Sequence, residues 1–183
     1  MKRVCGLLVA TTFLVMGCNR TEAPAPAAAP AAPQPTPHAN LAQLMRGIPF
    51  PASNIIFDTQ STDPGAVKEA ADPTAGANAT TQFSGVYGGW QAVENAALAL
   101  QETANLITIP GRMCENGKPV PIDQEDFRKW AANLADAGGA ALKAAQSKNM
   151  DAMVDVSGTL SDACAMCHEK YRDKPDNAQR CTP

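Results

Sequence analysis

Residues 164–172 read CAMCHEKYR, and the segment that carries them decides how the rest of the chain is read. Val156, Leu160, Cys164, Cys167 and His168 follow one another at intervals of three or four residues, with His168 next to Cys167. That interval marks one face of an α-helix. The spacing predicts a helix from about Asp151 to Tyr171, with two thiols and an imidazole on its apolar face.

Working outward, a helix is expected to end near Ser147, with Phe127, Trp130, Leu134 and Leu142 facing inward. Asp123 reads as its N-cap, with Asp126 three residues later and Pro121 just upstream. Gly138-Gly139 interrupts it at a cost of about 1 kcal/mol per glycine against alanine. The pair suits the close approach of another helix or of a flat cofactor, or is a plain weak spot. Residues 86–108 carry Trp90, Val93, Ala97, Leu100, Ala104 and Ile107 on one face, and Pro110-Gly111 ends that helix. Residues 39–60 also have helical spacing, broken by Pro49 and Pro51. Residues 61–85 read as a long connection with a short helical turn near VKEAA. Aromatics make up 5% of the chain, and alanine is abundant, which favours closely packed helices over a β-sandwich. The sum is an all-α fold of four helices, the first one broken, in an antiparallel up-down-up-down bundle. Neither a β pattern nor an internal repeat is visible.

The first residues, MKRVCGLLVATTFLVMG, place Lys2 and Arg3 before an apolar run over 6–16. That run is too short to span a bilayer and reads as a secretory signal over residues 1–17. Val15-Met16-Gly17-Cys18 resembles a bacterial lipobox, with Val15 and Met16 departing from its usual residues, so Cys18 is the expected lipidation site. Asn19 leans weakly toward the outer membrane. Residues 18–38 follow as a tether. Six prolines and seven alanines between 21 and 38 leave too little apolar surface to offset ordering entropy. The remainder, 39–183, is long enough for one sizeable core. Setting Lys2 and Arg3 aside from 15 basic residues leaves 13 against 18 acidic ones, a net charge of −5. That balance argues against nucleic acid and anionic lipid as partners.

Of six cysteines, Cys5 leaves with the signal and Cys18 takes the lipid. Cys164 and Cys167 belong to the opening stretch. Cys114 and Cys181 remain, and in an oxidising compartment such a pair is most simply a disulfide. It would add about 3–4 kcal/mol if unstrained and pin the final residues, which otherwise fray. C-x-x-C-H is the haem c attachment motif. Each thiol adds to a haem vinyl group, and the adjacent histidine can reach the iron from one side. On a helix Cys164 and His168 are one turn apart and face the same flat ligand. A zinc site would need four ligands, with His38 or the Cys114/Cys181 pair completing the set. A thioredoxin-like dithiol would need a βαβ context that the sequence lacks.

With Tyr171 and Arg172 following as CHxxYR on the last helix of a four-helix pattern, the domain from about 39 to 175 resembles the class II cytochromes c, the cytochrome c′ family. The resemblance implies one covalent haem c per chain held between helices, His168 as proximal iron ligand, a periplasmic location and pairing into homodimers. The Cys114/Cys181 pair, the tail after Arg172, the lipobox and the tether are additions to the family pattern. They suggest a membrane-anchored branch. Met45, in LAQLMRG, stands where the family's distal residue is expected. A methionine opposite histidine raises the potential and suits electron transfer, whereas core filling is the common use of methionine. Leu41 occupies the place of an arginine frequent in the family, and Arg46 follows Met45 instead. Met113, Met150, Met153, Met166 and His38 are weaker ligand candidates. Trp90, Trp130, Phe83 and Tyr87 could pack on the macrocycle or in the core. Arg172 could pair with a haem propionate, shield His168, or sit solvated.

Three functions follow as expectations. The first is an electron carrier, not an enzyme, tethered by lipid within reach of redox partner proteins. The second is a five-coordinate haem protein that binds nitric oxide or carbon monoxide. The third is a haem-free lipoprotein stabilised by zinc or disulfides. No distal histidine is apparent for peroxidase chemistry.

Overall fold

Asn40 starts the first helix. Its side chain accepts from Gln43 N (2.9 Å) while Gln43 Oε1 accepts from Asn40 N (3.0 Å), a reciprocal cap that satisfies two otherwise unpaired helix-end donors. In the computed structural model, which describes residues 34–66 and 88–183, this helix is α1 (Leu41–Gly47). It stops at Ile48, and α2 (Pro49–Asp58) begins at once with Pro49 in its first turn, where a missing N–H costs nothing. The two prolines thus split one periodic segment into two helices. The signal, Cys18, most of the tether, the VKEAA turn, Phe83 and Tyr87 lie outside the described residues.

Three longer helices follow: α3 (Gly89–Ile107), α4 (Glu125–Gln146) and α5 (Met150–Tyr171). Val93, Ala97, Leu100, Ala104 and Ile107 are buried on α3, on the face that their spacing defines. The N-cap of α4 is Gln124 rather than Asp123, with no side-chain cap bond; the Asp126 carboxylate is directed elsewhere, as described below. Gly138-Gly139 does not interrupt α4, which runs unbroken through both. A Cβ on Gly138 would lie 2.8 Å from Gln101 N and 3.0 Å from Ala97 O, both backbone atoms of α3. Of the readings open to this pair, the close approach of another helix is the one that fits Gly138.

Between α4 and α5 only 147–149 intervene. Lys148 turns the chain with φ +51°, Asn149 N donates to Ala144 O (3.0 Å), and the Asn149 side chain then caps α5 by accepting from Ala152 N. The longer 108–124 connection is held by Arg112, 4% exposed, which donates to Leu106 O (3.0 Å) and Ala39 O (2.5 Å). Among the described residues there is no strand, only one isolated bridge between Met113 and Pro119.

The main core joins α2, α3, α4 and α5: Ile56, Leu100, Met153 and Leu160 are fully buried among alanines 96, 97, 137, 141 and 145. Two smaller clusters lie beside it, one around Phe127, Val120 and Tyr171, the other around Leu44, Ile107 and Ala131. Cys114 and Cys181 form a disulfide across a sequence separation of 67 residues. The tail is further tied by Cys181 N donating to Tyr171 O (2.8 Å) and by Lys118 Nζ donating to Ala178 O (2.6 Å). Among the described residues no helix is long and apolar enough to cross a membrane.

Candidate functional site

The end of α3, the start of α4 and the end of α5 meet beside α1 around a cleft of about 320 Å³. α5 contributes Cys164, Cys167 and His168, on the face that their spacing assigned to them. α1 contributes Met45, and α4 contributes Phe127, Trp130 and Leu134. The expected proximal and distal ligand residues therefore line one cleft from two different helices. Arg172 also reaches it, though its guanidinium is exposed and holds Asp173 at 2.7 and 3.2 Å.

Cys164 and Cys167 are free thiols, half-buried. Burial pushes the Cys164 thiol up despite the opposing charge of Arg172, and pushes Cys167 up to about 12. A redox dithiol is activated by the opposite shift. Burial, assisted by Arg172, holds His168 below the ordinary imidazole value. Its ring is therefore neutral at pH 7, with a nitrogen lone pair available to a metal.

The Cys114–Cys181 disulfide removes two thiols from the set that a zinc site would need, and His38 is exposed. Among the described residues no three His, Cys, Asp or Glu side chains gather as a metal-binding group. A haem needs less from the chain: two thiols, one imidazole and an apolar slot. The cleft offers all of these, lined mainly by aliphatic and aromatic side chains. At the small end of ligand-pocket volumes, it is a slot in which a haem would depend on covalent attachment for retention.

The lower wall of the cleft depends on a residue that the sequence did not single out for this role. Asp126 Oδ1 accepts from the Tyr171 hydroxyl (2.6 Å) and from Phe127 N (2.8 Å), and Oδ2 accepts from Lys170 Nζ. Hydrogen bonds from Lys170 and then Tyr171 hold its carboxyl below the usual range. Burial, then the bond to Asp126, drives the Tyr171 phenol above its own. The Tyr171 ring sits edge-on to Phe127 and Trp130, with centroids 5.4 and 5.9 Å away. Tyr171 thus fixes the end of α5 to the start of α4, about one turn beyond Cys167 and His168. The only hint in the sequence was the acidic residue opening α4; its partners lie 44 and 45 residues away.

The other ligand candidates separate clearly. Met153 is fully buried in the main core, and Met113 is 42% exposed in the loop. Trp90 packs against the main core, while Trp130 lines the cleft. Met45 packs against Leu44, Ile107 and Ala131 as well as lining the cleft. No protein-family model, curated protein or solved structure matches this chain, so its functional reading rests on the cleft and the motif.

Proposed function

We propose that this chain is a c-type cytochrome of antiparallel four-helix-bundle type, carrying one haem c and serving as an electron carrier. The observation that carries this reading is the convergence of Cys164, Cys167 and His168 of α5 with Met45 of α1 on one apolar cleft. When bound, haem supplies an iron centre that cycles between ferric and ferrous states. Cys164 and Cys167 would hold the group through two thioether bonds, each made by adding the thiol S–H across a vinyl C=C bond, sulfur to one carbon and hydrogen to the other. No oxidant is needed and nothing is released. His168 presents its neutral imidazole one helical turn from Cys164. Met45 would present a thioether from the other helix, a ligand type that favours the reduced state. Phe127, Trp130 and Leu134 keep water from the slot, and Asp126 with Tyr171 holds the α5 register against α4. The leader over 1–17, lipid on Cys18 and the tether to residue 38 would hold the domain at the periplasmic side of a bacterial membrane, within reach of redox partners.

A second reading rests on the packing of Met45 against Leu44, Ile107 and Ala131. If Met45 is apolar filling, the iron keeps an open face and the protein binds nitric oxide or carbon monoxide. Optical spectra of protein made in a host that matures haem c separate the two. The carrier reading expects a low-spin spectrum with the far-red band of sulfur-ligated ferric iron, lost in Met45→Ala. A high-spin spectrum that shifts on adding nitric oxide, and does not respond to Met45→Ala, supports the second.

A further inference from the structure

Three arginines reach the cleft: Arg46 from α1, Arg172 at the end of α5 and Arg180 from the tail. Two are held by carboxylates. Arg46 Nη2 donates to Glu115 Oε1 at 2.8 Å, and Arg172 is paired in two-point fashion with Asp173. Arg180 differs. Its Nη1 is 3.9 Å from Glu115 Oε2, on a carboxylate already engaged by Arg46, and its Nε is buried without a hydrogen-bond partner. Buried donors are almost always satisfied, and a guanidinium presents its donors as a planar fork that matches a carboxylate. The frame behind Arg180 is built. Asn116 Nδ2 donates to Asn177 O (2.8 Å) and to Arg180 O (3.0 Å), and the next residue, Cys181, is bonded to Cys114. Arg180, Asn177 and Cys181 lie in the tail that the class II resemblance does not cover, and Glu115, Asn116 and Cys114 of the 108–124 connection hold that tail in place.

We infer that the disulfide-held tail forms an anion subsite in which Arg180, with Arg46 beside it, binds a carboxylate of the macrocycle, a haem propionate. This inference rests on the haem reading above. The subsite gives the Cys114–Cys181 bond a task besides stability, since it fixes a cation at the rim of the slot. The charged groups around that carboxylate are Arg46, Glu115, Arg172, Asp173 and Arg180.

The test measures the reduction potential of the haem-loaded protein against pH. A carboxylate paired with arginine binds its proton more weakly. Arg180→Gln should raise the proton affinity of the group that couples potential to pH by about tenfold or more and shift the potential at neutral pH downward. Arg180→Lys should retain part of both. Glu115→Gln, which releases both guanidiniums, should move the proton affinity in the opposite direction; it decides the matter alone if Arg180→Gln does not accumulate. Haem-stained variants whose curves overlay the unaltered protein overturn the subsite and leave the haem reading intact. An unaltered chain that carries no covalent haem overturns the haem reading itself.

Discussion

The seam between α3 and α4 and the cleft beside α1 are made from opposite choices of side-chain size. At the seam, Ala97, Gly138 and Ala141 let two helix backbones approach until a methyl group would collide with Gln101 N. At the cleft, the Tyr171 ring meets Phe127 and Trp130 edge-on and ties the end of α5 to the start of α4 through bulky side chains. Small residues close the bundle where nothing needs to enter. Large rings, with Tyr171 fixed by the Asp126 carboxylate, line a slot that Cys164, Cys167 and His168 of α5 share with Met45. The seam gains its stability from close packing, while the open end depends on tethers: one disulfide, one carboxylate network and a set of loop hydrogen bonds.

Removing the tether should have the largest effect. Replacing Cys114 and Cys181 with serine should cost about 4 kcal/mol in urea denaturation, since the bond closes a long loop. Hydrogen exchange should speed up first in the tail and the 108–124 loop and last at the α3–α4 seam. Attacking the seam is next. Gly138→Ala should cost about 1–3 kcal/mol, because the added methyl meets backbone that cannot give way. Gly139→Ala should stay within about 1 kcal/mol of the unaltered protein, because its methyl meets only the Gln101 side chain at 3.4 Å. Equal penalties at the two glycines would contradict the packing account.

The carboxylate network should appear in the pH dependence. Asp126 has a lowered value in the folded chain, so the unfolded chain takes up its proton first as pH falls. Its contribution is fully present above about pH 5 and is lost as pH falls through the folded value. Asp126→Asn should therefore reduce the acid slope of stability. Glu115 and Asp173, also lowered, keep the slope from vanishing. The smallest effect is a gain. Lys148 adopts the left-handed conformation where glycine is usual, so Lys148→Gly should stabilise by about 0.5–1 kcal/mol, read as a raised Tm.

What the sequence disclosed divides along the same line. The faces of α3 and α5 were legible because burial follows a local period, as Val93, Leu100, Val156 and Leu160 show. The Cys114–Cys181 pair was legible because the sequence assigned the other four cysteines to other expected uses. Gly138 was visible as an anomaly, but its partner backbone was not. The helix starts one residue later than the Asp123 cap would have it, and Asp126 is committed to Tyr171 and Lys170, where a hydrogen bond spanning 45 residues leaves no periodic trace. The crowding of Arg46 and Arg180 around Glu115 was hidden for the same reason. Local physics writes the helices, while tertiary partners write the cleft.

The central claim is tested most directly by the mass of the denatured protein, purified from a host that matures haem c. The account predicts one haem that stays with the chain through denaturation and is lost from the Cys164→Ser, Cys167→Ser variant, while the Cys114–Cys181 bond persists in both. A chain whose mass shows no covalent haem, although the host loads another c-type cytochrome in the same cells, would contradict it.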